Sequence, residues 1–247
     1  MNAFIEELRI AREGAGLTQE QLAEATQYSQ GQISKIENGE RVPNLKFAKA
    51  ADDALKTGGL LHRTLRRELR QETTPAWFVP WLERERQATS LRTYQPLLIP
   101  GLLQIEEYAM ALLQDETRVA TRLDRQETLD QLDTFVVVID EAALTRPIGG
   151  ADVMVTQLQR LLEDTRASVH VVPAATGYYT GLDGAFTIAV IDGTEVAVLD
   201  NRLRGQFIEL PEDMAVIRRA WEAVRSEALP RGQSRDLIEE ACDRWKT

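Results

Sequence analysis

The sequence predicts an all-α domain over residues 1–72 followed by an α+β domain over residues 75–247, and three observations predict it. Between Leu17 and Gly39 the apolar positions repeat at helical spacing on either side of a short polar break. Thr73-Thr74-Pro75 then stops a helical pattern. Beyond Thr134 that period gives way to β-branched runs and turn residues, so the second domain mixes strands with helices. A chain of 247 residues is long enough for two domains, each with a sizeable core.

Residues Phe4 to Glu13 form the first helix, with Phe4, Leu8 and Ala11 on one face, and Gly14 and Gly16 end it. Thr18 is placed to N-cap a second helix that turns Leu22 and Ala23 inward. Ser29 is placed to N-cap a third, which buries Ile33 and Ile36 and leaves Gln30, Gln32 and Lys35 outside. Small Ala23 sits where two steeply crossing helices must approach closely. The pair is a helix-turn-helix, whose second helix enters a DNA major groove. Pro43 forbids helix at Val42. Asn44 then caps a fourth helix with Leu45, Ala48, Ala51 and Leu55 inward, and Gly58-Gly59 stops it. A basic helix from about Leu60 to Gln71 has an apolar stripe of Leu61, Leu65 and Leu69, with Arg63, Arg66, Arg67 and Arg70 over the rest. The basic run reads as a solvated face flanking a linker, with phosphate contact or a dimer seam along the leucines as alternatives.

The run L-T-Q-E-Q-L-A, followed by S-x-x-x-I-S-K-I-E-N-G-x-R-x-P, resembles the phage-repressor-like (Xre) class of transcriptional regulators. The resemblance implies that Gln19 touches a phosphate. It implies that Gln30, Gly31, Gln32 and Lys35 face base edges, and that Asn38 and Arg41 hold the DNA backbone. Arg12 and Glu37 are expected to form a structural ion pair locking the first helix to the recognition helix. Two positions depart from the pattern. Gln27 stands where the family has Gly for a left-handed turn, which costs about 1 kcal/mol or forces another turn shape. Gly31, inside the recognition helix, costs roughly 0.8–1 kcal/mol relative to Ala and removes one reading side chain.

In the second domain, Pro75-Ala76-Trp77-Phe78-Val79-Pro80-Trp81 concentrates aromatics, which suit a core or docking seam more than a ligand cage. Leu82 to Ser90 is a charged helical stretch, and two prolines keep Tyr94 to Gln104 extended at first. Helices follow at about Gln104–Leu113 and Glu116–Leu132, the latter with Val119, Leu123 and Leu129 inward. Phe135-Val136-Val137-Val138-Ile139 and Ser168-Val169-His170-Val171-Val172 read as strands buried on both faces, joined through a helix at Val153–Glu163. Strand, helix, strand implies a crossover and a parallel pair. Phe186–Ile191 and Glu195–Leu199 flank Asp192-Gly193-Thr194 as an antiparallel hairpin, Phe207–Leu210 is a candidate further strand, and helices at Glu212–Leu229 and Ser234–Trp245 close the chain. The sheet is therefore mixed, with a βαβ unit and a hairpin.

This half carries its own resemblance. Tyr94 to Tyr108, with the core Y-x-P-L-L-I-P-G-L-L-Q-x-x-x-Y, resembles the domain that follows Xre helix-turn-helices in many actinomycete regulators. Asp140-Glu141-Ala142-Ala143-Leu144, Gln157-Leu158-x-x-Leu161-Leu162, Val172-Pro173 and Gly184-x-Phe186 extend the likeness. That group includes WhiJ-like developmental regulators of Streptomyces and antitoxin-like regulators. The resemblance implies control by a small partner protein encoded nearby, and supplies no catalytic residues.

Composition narrows the chemistry. The net charge of −10 lies wholly outside the helix-turn-helix region: residues 1–72 hold 11 Lys/Arg and 11 Asp/Glu, the remainder 18 and 28. A neutral domain still binds DNA where its basic groups face phosphates, whereas the acidic remainder argues against a second DNA contact. The single cysteine, Cys242, cannot form an internal disulfide, which suits a reducing cytoplasm. No apolar run approaches the ~20 residues that span a bilayer, and the N-terminus lacks a signal-peptide pattern. His62 and His170 have no neighbours at metal-ligand spacing, and His170 reads as a packed strand residue. Asp140-Glu141 at a strand end fits either an acid/base pair or, more simply, a cap. The loop Gly177–Gly184, with Tyr178 and Tyr179, reads as a connector or a ligand loop.

The expectation is a cytoplasmic, non-enzymatic regulator without cofactor or metal, binding double-stranded DNA as a homodimer. Its second domain dimerises and receives a signal, either from the small partner protein or from a small-molecule effector. The candidate ligand or partner site is Trp77, Trp81, Tyr178 and Tyr179.

Overall fold

The computed structural model describes residues 2–73, 78–199 and 205–246. The chain divides into two compact units, Met1–Pro75 and Ala76–Thr247. The N-terminal unit is helical: α1 (Asn2–Gly14), α2 (Gln19–Thr26), α3 (Gln30–Glu37), α4 (Leu45–Leu55) and α5 (Leu60–Thr73). Its core gathers Phe4 and Leu8 from α1, Leu22 from α2, Ile33 and Ile36 from α3, and Phe47 from α4. Asn44 caps α4 by accepting the Phe47 N–H at 2.8 Å. α4 turns Ala48 and Ala51 fully inward as expected, with Leu45 and Leu55 half-buried against the same core, and Phe47 and Asp52 are buried beside them.

Buried Asp52 explains how α5 begins. Its carboxylate accepts the backbone N–H groups of Leu61 at 2.9 Å and His62 at 2.8 Å, satisfying two amides that a helix start leaves without partners. The leucine stripe of α5 enters the same core, with Leu61 and Leu65 fully buried and Leu69 nearly so. This removes the dimer-seam alternative: those side chains are already covered by their own unit. α5 is therefore a packed helix of the unit, and Arg63 and Arg67 stay exposed on its outer face.

In the second unit, the described residues form one six-stranded sheet of order β3-β2-β1-β4-β5-β6. In chain order its elements are α6 (Val79–Gln87), β1 (Ser90–Gln95), α7 (Glu106–Leu113), α8 (Glu116–Asp124), β2 (Thr134–Asp140) and α9 (Ala142–Thr145). There follow α10 (Ala151–Glu163), β3 (Ser168–Val172), β4 (Phe186–Ile191), β5 (Thr194–Leu199), β6 (Gln206–Ile208), α11 (Pro211–Glu227) and α12 (Arg231–Trp245). β1, β2 and β3 pair in parallel, while β1–β4, β4–β5 and β5–β6 pair antiparallel. The mixed sheet, the β2–α10–β3 unit and the β4–β5 hairpin are thus as the sequence predicts. The hairpin turns on Asp192 (φ 49°) and Gly193 (φ 77°), the left-handed pair that a two-residue turn between twisted strands requires.

Alternation puts different side chains on the two faces. Leu91, Val137, Val171 and Ala189 pack beneath α10 and α12, with Leu158 and Ile238 among the buried helix residues. Tyr94, Val138, Ile188 and Ala197 pack on the other face against Ile217, Trp221 and Val224 of α11. Cys242 is buried.

Two expectations need correction. The charged helix ends at Gln87, and Ser90–Gln95, expected as helix end and extended chain, is the strand between the parallel and antiparallel halves. S-L-R-T-Y-Q lacks the apolar density of a central strand because its polar groups find partners across the sheet. Arg92 pairs with Glu195, and Thr93 Oγ1 meets Thr187 Oγ1 at 2.8 Å. The long helix expected over Glu116–Leu132 breaks at Asp124, continuing as 3-10 turns over Arg125–Gln131. A short 3-10 turn at Gly101–Leu103 also precedes α7.

Candidate nucleic-acid interface and a cavity on the sheet

The helix-turn-helix is built from two successive capping boxes. Thr18 Oγ1 accepts the Gln21 N–H at 3.2 Å while Gln21 Oε1 accepts the Thr18 N–H at 2.8 Å. Ser29 Oγ accepts the Gln32 N–H at 3.3 Å and Gln32 Oε1 accepts the Ser29 N–H at 2.9 Å. Each box satisfies two donors at a helix start and fixes where α2 and α3 begin. The signal was legible as T-x-x-Q and S-x-x-Q, although only the Thr and Ser caps were anticipated. Between the boxes Gln27 takes the left-handed conformation, φ 61° and ψ 32°.

Glu37, at the end of α3, is the hub that locks the unit. Its side chain is 2% exposed and receives Arg12 through two hydrogen bonds, Nε to Oε1 at 2.7 Å and Nη2 to Oε2 at 3.0 Å. Gln19 Nε2 donates to Oε2 at 2.9 Å, and Arg9 Nη2 donates to the Glu37 carbonyl at 2.8 Å. Arg12 Nη1 also reaches the Leu17 carbonyl at 3.0 Å. One carboxylate thereby ties α1, the start of α2 and the end of α3 together. Burial alone would raise the Glu37 pKa, but the Arg12 and Gln19 hydrogen bonds hold it below the usual glutamate value.

This lock leaves the outer face of α3 exposed. Gln30, Gly31 and Lys35 are exposed, as are Asn38 and Arg41 beyond the helix. Among the described residues, the side chains of Gln30, Lys35 and Arg41 make no hydrogen bond or ion pair. A Cβ added at Gly31 would meet nothing within 4 Å. Gln32 is half-buried, and its side-chain oxygen is engaged by the Ser29 N–H. Gln19 commits one amide hydrogen to Glu37, and its amide has a second to donate.

The aromatic residues singled out in the second domain are not brought together. Trp77 lies outside the described residues. Trp81 is 2% exposed in the core on the α10/α12 side of the sheet, and its indole N–H donates to Glu85 Oε2 at 3.0 Å. Tyr179 is buried in the cluster on the opposite sheet face, while Tyr178 is 84% exposed. Tyr179 donates its hydroxyl to Asp140 Oδ2 at 2.6 Å and lies 2.6 Å from the Tyr94 hydroxyl. Burial pushes the Tyr94 hydroxyl up to about 12, against the lowering effect of that contact. Asp140 also accepts the Ala142 N–H at 2.8 Å, and Glu141 accepts the Ala174 N–H at 2.9 Å and pairs with Arg244 at 3.5 Å, so both carboxylates have protein partners. His170, 5% exposed, has Nδ1 at 3.0 Å from the Leu229 carbonyl and Nε2 at 3.1 Å from Ser168 Oγ.

A cavity of about 220 Å³ opens instead on the Trp81 side of the sheet. The sheet contributes Thr93, Gln95 and Thr187, α6 contributes Trp81 and Glu85, and the segment 98–104 contributes Leu98 and Gly101. Arg122 of α8 and Arg125 just beyond it supply positive charge. Arg125 donates twice to Glu85, at 2.9 and 2.7 Å, and stacks 4.9 Å from the Phe78 ring centroid. Arg122 Nη1 donates to Gln104 Oε1 at 2.8 Å. Trp81 is the one anticipated site residue here. The others were missed because no local motif joins Thr93 to Thr187 or Glu85 to Arg125. Among the described residues no group of three or more His, Cys, Asp or Glu could hold a metal ion, and no helix is long and apolar enough to cross a membrane.

Comparison with known proteins assigns both parts. Residues 3–71 match a helix-turn-helix domain, consistent with the capped α2–α3 pair. No curated protein and no solved structure matches the chain. Residues 79–240, more than half of the chain, match the family described as Domain of unknown function (DUF5753); the chain belongs to that family and carries the domain behind an N-terminal helix-turn-helix.

Proposed function

We propose that the chain is a sequence-specific DNA-binding regulator of transcription of the Xre-like class. It acts on operators in the cytoplasm as a homodimer. The observation that carries this reading is the outer face of α3: Gln30, Lys35 and the neighbouring Arg41 project without protein partners, while Glu37 clamps the helix from behind. A face held in place and free of partners is what base-edge readout requires. One short helix reaches only a few base pairs, so two copies on a palindrome supply the remaining affinity. Asp140 and Glu141, with oxygens engaged by backbone amides, support a non-enzymatic reading.

Control belongs to the second domain. On the resemblance to WhiJ-like and antitoxin-like actinomycete regulators, the signal comes from a small partner protein encoded nearby. The cavity beside Trp81 favours a second reading, in which a small molecule is the effector. Either ligand acts by linkage, changing operator affinity only as far as it prefers one state of the protein. The test is selection of bound genomic fragments by the full-length protein, alone and with any co-purifying protein. Enrichment of a palindromic motif supports the reading, and failure to retain any fragment at low salt overturns it.

A further inference from the structure

The geometry points to the cavity between α6, the 98–104 segment and the sheet as a binding site for a small, neutral aromatic lactam, recognised through the side-chain amide of Gln95. This inference deepens the small-molecule reading of control and rests on it. Size and walls select the aromatic body. At about 220 Å³ the cavity exceeds the ~150 Å³ apolar cavity that accepts benzene, so it holds one or two fused rings. Phe78, Trp81, Phe135 and Phe186 line it, which favours flat apolar faces.

The floor selects the polar edge. Leu91, Thr93 and Gln95 alternate along β1 and line the cavity, so Thr93 and Gln95 stand as polar groups on a central strand. Thr93, 3% exposed, is satisfied within the sheet: its hydroxyl meets that of Thr187 at 2.8 Å and lies 3.4 Å from the Phe186 carbonyl. Gln95 is less fully used. Its Nε2 donates one long bond, 3.4 Å, to Thr93 Oγ1, and among the described residues Oε1 accepts none. The side chain therefore keeps an acceptor and an amide hydrogen next to each other. The group that pairs with both is another amide, with N–H and C=O on the same edge. The ionic groups of the wall argue for a neutral ligand. Glu85 accepts two hydrogen bonds from Arg125 and one from the Trp81 indole, and Arg122 donates to Gln104, so all three are engaged inside the protein. A neutral ligand leaves those contacts intact, whereas a charged one gives up its hydration to groups committed elsewhere.

Titration calorimetry on the full-length protein tests this with 2-quinolone and 1-isoquinolone. Each is measured beside the lactone of the same shape, coumarin or isocoumarin, in which a ring oxygen replaces the N–H. At least one lactam is expected to bind with a Kd below about 1 mM and about tenfold tighter than its lactone, which turns a lone pair toward Gln95 Oε1. Gln95→Leu should erase that preference, and Leu98→Trp should fill the cavity and abolish binding. The lactam–lactone comparison on the unaltered chain decides the matter even where a variant unfolds. Equal binding of lactams and lactones, binding by neither lactam, or tighter binding of naphthalene-2-carboxylate than of both lactams overturns the site. So does an undiminished preference in Gln95→Leu or unchanged binding in Leu98→Trp. Fragment retention measured with and without saturating lactam separates the two claims: unchanged DNA affinity despite lactam binding defeats small-molecule control while the site stands.

Discussion

Gln27 adopts a left-handed backbone at φ 61° without glycine's conformational freedom, and a non-glycine residue there carries a cost of roughly 1 kcal/mol. Gln27→Gly is therefore expected to stabilise the N-terminal unit by up to about that amount, visible as a higher denaturation midpoint at unchanged slope; a lower midpoint would show that the Gln27 side chain contributes more than the turn costs. Gly31 is the converse case. It lies in regular helix with open space around it, so Gly31→Ala should gain roughly 0.8–1 kcal/mol while placing a methyl on the face proposed to meet DNA. Thermal stability and operator affinity then respond separately, which tests whether the bare position serves binding. For Lys35, exposed and without a protein partner, Lys35→Ala should cost about 1–3 kcal/mol of operator affinity and relax discrimination at one base pair. A uniform loss over all sequences would instead place Lys35 on a phosphate.

At the scale of elements, the Arg12–Glu37–Gln19 contact decides how α1, α2 and α3 stay in register. Because the folded Glu37 pKa lies below the unfolded value of about 4.3, the carboxylate stabilises the unit at neutral pH. That contribution disappears as pH falls through the folded value. Glu37→Gln should destabilise the unit at pH 7 by about 2–3 kcal/mol, less than the ~3–5 of a fully buried pair, since Arg12 keeps the Leu17 carbonyl and some solvent. The variant should also flatten the acid limb of stability against pH; an equally steep limb would assign acid sensitivity to other carboxylates. Local signals made the helical unit legible, since Thr18, Ser29 and Asn44 each announce a helix start and Ile33, Ile36 and the α5 leucines repeat at helical spacing. Signals of this kind were missing for β1. Arg92, Thr93 and Gln95 look like surface residues until Glu195 and Thr187 arrive from the antiparallel half, about a hundred residues later. The cavity was hidden for the same reason, being assembled from α6, β1, β4 and the α8 region. Asp52, which reads as an ordinary helix-surface acid, shows its role only when the start of α5 folds back to it.

On the scale of the whole molecule, the charge distribution and the narrow reading face make the same demand. Residues 1–72 are electrically balanced, so affinity depends on a few placed groups and not on a general positive field. With Gly31 bare and the Gln32 carbonyl engaged in its cap, each copy offers few groups to base edges. On the proposed homodimer, specificity comes from two copies at a fixed separation, and that separation is testable in DNA without altering the protein. Once an operator is selected, inserting about five base pairs between its half-sites turns one half-site to the opposite face of the duplex. Inserting about ten restores the face while lengthening the span by one turn, or 34–36 Å. For a homodimer whose second domain fixes the separation, the five-pair insertion should weaken binding about as much as scrambling one half-site. The ten-pair insertion should recover little, because a fixed separation leaves no reach for another turn. Recovery at ten pairs would indicate tethered copies with free spacing, and binding indifferent to either insertion would mean that single chains read the site, leaving the second domain no part in setting specificity.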